Sequence, residues 1–186
     1  MKNRAEMIFQ ASPIKKPFPL PPMYRVRQPF DQPALSDVGA ALNDRFQKHP
    51  FTAETVPGQS VAVAVGSRGI QRLPEMVRGV VDYLKGRQLE PFIVPAMGSH
   101  GGATAEGQVA VLARLGVSTQ TMGVPVNGDV EAAPIIRLSS GGRVYFGRRL
   151  LAADHVVVIN RVKPHTLFRG EVESGLCKML AVGCGM

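Results

Sequence analysis

An apolar run from Val156 to Ile159 stops abruptly, and the next nineteen residues bring Lys163, His165, Arg169, Glu171, Glu173, Ser174, Cys177 and Lys178. Amines, an imidazole and a thiol directly after what reads as a buried strand are material for acid–base or covalent chemistry. In open α/β sheets, ligands bind in the crevice beyond the carboxyl ends of the strands. Two further segments occupy such places. GSRGI (66–70) follows an apolar stretch, and its glycines let the backbone turn tightly and leave Arg68 exposed. The planar fork of an arginine matches a carboxylate or phosphate, although an ordinary surface arginine in a turn reads the same way. PAMGSHGGATAEGQ (95–108) has the order strand, glycine-rich loop, helix start, which points free amides at an anion. It lacks the Lys-Ser/Thr pair of a P-loop and does not fit the dinucleotide G-x-G-x-x-G pattern.

His100 follows the small Ser99 and precedes Gly101 and Gly102, a setting ill suited to core packing. An imidazole, with an ordinary pKa of about 6.5, serves as acid or base near neutrality. Lys178 and Cys177 lie on ESGLCKMLAV, which could start a helix with Ser174 as its cap. Their plain readings are a solvated helix face for Lys178 and a small buried residue for Cys177. His49, before Pro50, reads as a helix-terminus residue, and His155, at a strand start, as structural. Inverting a stereocentre needs proton transfer on opposite faces of one substrate, hence two bases across a cleft, with an arginine to hold a carboxylate. The same constellation could serve a hydrolase or a lyase, and residue types alone do not choose.

The elements that must position these groups alternate. Val38, Ala41, Leu42 and Phe46 recur at helical spacing from Asp37 to about His49. SVAVAVGS (60–67) is predicted as a strand. Leu73, Met76, Val77, Val80, Val81 and Leu84 form one helical stripe with Pro74 in its first turn. PFIVPAM (91–97) is a second strand, and Thr104 can cap a helix whose Val109, Leu112 and Leu115 share a face. Strands near 134–138 and 143–147 are expected to form a hairpin across SSGG. Leu150 to Asp154 reads as a helical turn, and HVVVIN as another strand. Near-continuous apolar strands alternating with helices predict a largely parallel sheet covered on both faces, an α/β domain with Rossmann-like layering. Residues 1–34 are expected to be a basic, proline-rich extension and 35–186 the domain. KKPFPLPPM cannot be a helix interior, and MYRVRQ is a plausible short extended piece.

At 186 residues, one domain with an extension can bury roughly 70% of its unfolded surface. The net charge of +8 is uneven: residues 1–29 hold six bases against Glu6 alone, a net +5. Neither a recognition motif nor aromatic interleaving accompanies that charge, and aromatics are 6% with no Trp, so nucleic acid is not the expected partner. Cys177 and Cys184 are too few for a disulfide scaffold and wrongly spaced for a zinc ribbon. With no apolar leader and no membrane-length apolar run, a reducing cytoplasm is the expected location and no membrane partner is expected.

GSRGI, PAMGSHGGATAEGQ and NRVKPHTLFRGEVESGLCKMLAVG together resemble the nickel-dependent lactate racemase family, specifically its N-terminal domain, from about residue 35 onward. The resemblance implies a nickel pincer cofactor, a pyridinium mononucleotide whose sulfur donors grip the metal. It implies His100 and His165 as the catalytic bases, Arg68 as the substrate arginine and Lys178 as the covalent tether. Gly101, Gly102, Thr104 and Ser174 would assist in holding the cofactor. The implied reaction is racemisation or epimerisation of a 2-hydroxy acid by reversible hydride transfer, with a histidine taking the hydroxyl proton. The segment from His165 to Lys178 is slightly longer than in the racemase itself, so a related subgroup with another substrate is expected. The family's further nickel-ligating histidine and a substrate lysine belong to a second domain, and no histidine follows His165 here. A missing C-terminal domain or complementary chain is therefore the expected partner, and Cys184 reads as a small buried residue rather than a substitute ligand. A different class stays open: a non-catalytic anion- or nucleotide-binding domain.

Overall fold

The computed structural model describes residues 22–185 except 28, 30–33, 52–53, 166 and 168. The chain divides into Met1–Ala34 and Leu35–Met186. In the first unit, 22–27 carry no regular element and are exposed, so the described part of MYRVRQ is not a strand. Most of KKPFPLPPM lies outside the described residues.

The second unit is an α/β domain. Its elements are α1 (Val38–Lys48), β1 (Ser60–Val65), α2 (Leu73–Gly86), β2 (Glu90–Pro95), a 3-10 turn (His100–Ala103), α3 (Ala105–Arg114), α4 (Thr119–Met122), β3 (Ala132–Arg137), β4 (Arg143–Gly147), α5 (Arg148–Leu151), β5 (His155–Ile159), α6 (Leu176–Lys178) and a π-turn (Met179–Cys184). β2, β1 and β5 form a parallel sheet in that order, with Val61 opposite both Pro91 and His155. A single parallel bridge from Ile93 to Val126 continues the β2 edge. β3 and β4 pair antiparallel as a separate hairpin, shifted in register between Pro134 and Ile136. No helix among the described residues is long and apolar enough to cross a membrane.

The central strand explains the layering. In β1, successive side chains point to opposite faces, and both faces are covered. Val61, Val63 and Val65 pack with Val77, Val81 and Leu84 of α2 and Leu112 of α3. Ala62 and Ala64 pack with Val94, Leu150, Met179 and Cys184. Large residues on one face fill the space beneath two helices, while alanines on the other let the π-turn approach closely. A strand buried on both faces reads as a continuous apolar run, which is why this strand was legible.

The short helical turn forms at Arg148–Leu151, two residues earlier than expected, directly against the end of β4. The expected single helix from Glu173 is broken differently. Gly175, at φ +102°, takes the N-cap position, and Ser174 does not cap. Three α-helical residues then widen into the π-turn.

At the opposite edge of the sheet, the carboxylate of Asp154 accepts from the Ser60 amide at 2.8 Å and the Ser60 hydroxyl at 2.7 Å, tying the starts of β1 and β5 together. His155 is structural: its Nε2 meets Gln59 Oε1 at 3.0 Å, and Phe51 packs edge-on at 5.5 Å. His49 closes α1, its amide donating to Arg45 O. The Ser60 side-chain bond, then its backbone bond, hold the Asp154 carboxyl below its ordinary 3.8. A depressed carboxylate stabilises the fold above its unfolded value and stops doing so as pH falls through the folded one. Wild type should therefore be more stable than Asp154→Asn at pH 6, with the gap narrowing as the pH drops below about 4. Urea unfolding at several pH values checks this, and a gap constant with pH would contradict it.

Candidate functional site

The carboxyl ends of β1, β2 and β5 open onto a cavity of about 480 Å³. The loop after β1 contributes Ser67, Arg68 and Gly69. The loop after β2 contributes Met97, Ser99 and His100, and the loop after β5 contributes Asn160, Arg161 and Lys163. Ser174, Lys178 and Val182, from the segment around α6 and the π-turn, also line it. Because the three strands run parallel, their exits all lie at one edge, so side chains over a hundred positions apart meet there.

The lining carries four cations, Arg68, Arg161, Lys163 and Lys178, and no carboxylate. None of the four makes an ion pair with a described residue. A concave wall of one sign focuses its field on a ligand of the other, so the cavity suits an anion. Arg161 also has a structural task, donating from Nη1 to Gly69 O at 3.2 Å and bracing the loop that carries Arg68. Arg161→Ala should therefore weaken anion binding by more than the removal of one charge alone. Binding of inorganic phosphate to this variant, compared with Lys163→Ala, checks the difference; equal losses would count against the brace.

His100 sits at the start of the 3-10 turn, its Nδ1 2.6 Å from the hydroxyl of Ser67, which is nearly buried. Behind it, Gly101, Gly102 and Ala103 all take positive φ, of 66°, 73° and 56°. Gly101 is required by close approach: a Cβ there would lie 2.4 Å from the backbone carbon of Gly107. Thr104 caps α3, accepting from the Gly107 amide at 3.1 Å. Gly101, Gly102 and Thr104 do not line the cavity, so their place in the fold is to seat the turn that presents His100. Fully buried Gln108 helps, donating from Nε2 to Gly98 O at 2.6 Å, while its Oε1 has no hydrogen-bond partner among the described residues.

His165 is placed differently. It is half-buried in the loop after β5 and is not among the residues lining the cavity. Its amide donates to Glu173 Oε2 at 2.8 Å, and its Nδ1 accepts from the Leu167 amide at 3.1 Å. The Glu173 carboxylate also accepts from the Gly170 amide at 3.2 Å, so one acid holds His165 and Gly170 together. Thus Arg68, His100, Ser174 and Lys178 share one cavity, and His165 stands apart from it.

Ser67, Arg161 and Gln108 are the residues that sequence reasoning passed over. Gln108 had a readable signal, a polar side chain four residues before Leu112 on the buried face of α3. The two thiols also separate. Cys177 is exposed, correcting its reading as a buried residue, and it is not part of the core cluster that holds Met179 and Cys184. Cys184 is fully buried, and that burial pushes its thiol up to about 11. Thiolate is the reactive form, so a maleimide should label one thiol in the native protein and two in denaturant. Mass spectrometry reads the count, and two labels on the native protein would contradict the packing.

No curated protein matches the chain. The family model for the lactate racemase N-terminal domain matches residues 24–170, which takes in all three strands of the parallel sheet, both glycine-rich loops and His165, and stops short of Ser174 and Lys178. The chain therefore belongs to the lactate racemase family, through the N-terminal domain of that family.

Proposed function

We propose that the chain is the N-terminal part of a nickel-pincer racemase or epimerase acting on a 2-hydroxy acid. The observation that carries this reading is the meeting of Arg68, His100 and Lys178 around one cavity with cations and no carboxylate. The residues present fit the cofactor that this family implies. Lys178 offers a primary amine at the cavity, the proper group for a covalent bond to an acyl carbon. Arg161 and Lys163 offer cations for a phosphate. Among the described residues no cluster of His, Cys, Asp or Glu is placed to hold a metal ion; in this reading the soft sulfur donors for nickel would belong to the cofactor.

When bound, the cofactor supplies a reversible acceptor for the hydride at C2 of the substrate. The rest falls to the chain. Arg68 holds the substrate carboxylate in its planar fork, fixing C2 with respect to the cavity wall. His100 takes the proton of the substrate hydroxyl and returns it, a general-base role worth about 10²–10⁴ in rate. His165, in the loop after β5 with β1 between it and the strand that leads to His100, is the partner base in this reading. In the described structure it lies outside the cavity lining, with its backbone amide held by Glu173.

Peptide mass spectrometry tests the assignment on protein produced together with the cofactor-building enzymes. A mass increment confined to the peptide containing Lys178 is expected. An unmodified Lys178 in soluble protein, with the cofactor present in the same cells, would overturn it.

A further inference from the structure

Ser67 and His100 come from different strand exits, 33 positions apart, and meet at the cavity wall. Among the described residues, the bond between Oγ and Nδ1 is the one hydrogen bond that either side chain makes. Both ends are held from behind. The Gly66 amide donates to Ile159 O at 2.9 Å, fixing the start of the Ser67 loop, and Gln108 holds Gly98 just before His100. A short bond between two braced loops sets the orientation of the ring. It also bears on where the ring carries its proton.

A serine hydroxyl can either donate to Nδ1 or accept from it. If it donates, the proton of a neutral ring sits on Nε2, and His100 presents a donor. If it accepts, Nε2 presents a lone pair. The surroundings decide between the two. The cavity lining holds Arg68, Arg161, Lys163 and Lys178 and no carboxylate, and a positive potential favours the form that turns its lone pair toward it. We propose that Ser67 is the positioning residue of His100: its oxygen accepts the Nδ1 proton, so the neutral ring offers an unprotonated Nε2 as the base. The assignment deepens the racemase reading, since it rests on His100 being the group that takes the hydroxyl proton.

The arrangement suits proton transfer. When Nε2 gains a proton from the substrate hydroxyl, Nδ1–H goes on donating to Ser67, so the wall's hydrogen bond survives both protonation states. Being neutral, the serine accepts that bond without placing a negative charge beside an anion site. His165 is set the other way. A backbone amide can only donate, so Nδ1 of His165, accepting from Leu167, carries no proton, and a neutral ring there has its proton on Nε2. In their neutral forms the two imidazoles would then be opposite tautomers.

Long-range nitrogen–proton NMR of the four histidines tests this on the uniformly ¹⁵N-labelled full chain. The pH should be about 8.5, where an ordinary imidazole is neutral. His100→Asn assigns the signal. The expected result is an Nδ1–H pattern for His100 in the wild type, its loss toward the Nε2–H form in Ser67→Ala, and its return in Ser67→Thr, which keeps the hydroxyl. An Nε2–H pattern in the wild type would overturn the proposal even if no variant folds. A pattern unchanged by Ser67→Ala would also overturn it. Neither cofactor nor substrate is needed, so failure here leaves the Lys178 test untouched, and an unmodified Lys178 leaves this one standing.

Discussion

Lys178→Arg is expected to abolish covalent cofactor attachment completely while leaving the fold intact. The Lys178 side chain is exposed on the three-residue α6, reaches the cavity, and makes no ion pair with a described residue. Nothing in the core depends on it. Arginine preserves the positive charge and much of the length, so the field of the cavity changes little. What it removes is the nucleophile: a guanidinium stays protonated at any physiological pH, whereas an amine can lose its proton and attack an acyl carbon. The peptide mass increment should fall from near-stoichiometric to none, with the thermal midpoint unchanged within about 1 °C, as for a surface substitution. Retention of the increment on another residue of the variant would show that the tether lies elsewhere.

The second large effect is on stability, and it comes from one glycine. A Cβ added at Gly107 would overlap the carbonyl oxygen of Gly101 and come within 2.8 Å of both the Gly101 carbonyl carbon and Thr104 Oγ1. Two of these three are backbone atoms, which no rotamer change can clear. Gly107→Ala must therefore push α3 away from the turn that carries His100, breaking the Thr104 cap as it goes. Overpacking of this kind costs about 3 kcal/mol, which for a chain of this size lowers the melting midpoint by about 6–12 °C. In an ordinary helix interior the same change would be mildly stabilising, so the sign alone separates the two accounts. Gly86→Ala, at the end of α2 with nothing near its added Cβ, is the control and should change stability little.

How much of this was legible in the sequence depends on how local each cause is. SVAVAV declared a doubly buried strand through its own composition, and the stripe from Leu73 to Leu84 declared α2. The hairpin was legible from two extended runs on either side of SSGG. Thr104 declared the α3 cap by type and place, and its bond to the Gly107 amide realises it. The strand order was not legible, since β5 lies beside β1 through a register that no local pattern encodes. The π-turn was missed because it answers to tertiary packing: Gly183 lies so close to Ala96 that a Cβ there would come within 2.9 Å of its carbonyl oxygen.

The site divides the same way. Parallel strands send their exits to one edge, so the loops bearing Arg68, His100 and Lys163 had to lie at a common edge once the strands were recognised, while their adjacency came from the strand order. Ser67 and Arg161 were invisible because each gains its meaning from a partner 33 or 92 positions away. His165 departs from simple convergence for a reason the one-dimensional pattern hid. The Glu173 carboxylate takes the amides of His165 and Gly170 together, holding both positions.

The measurement that bears most directly on the shared cavity is an NMR titration of the labelled chain with a simple anion, lactate first and inorganic phosphate second. Three signals are followed: the Arg68 guanidinium, the His100 imidazole and the Lys178 amine. If these groups face one cation-lined space, all three move along one binding curve with a single dissociation constant, and Arg68→Ala weakens the response at the other two. Independent curves, or shifts at surface cations with these three signals unmoved, would contradict the account.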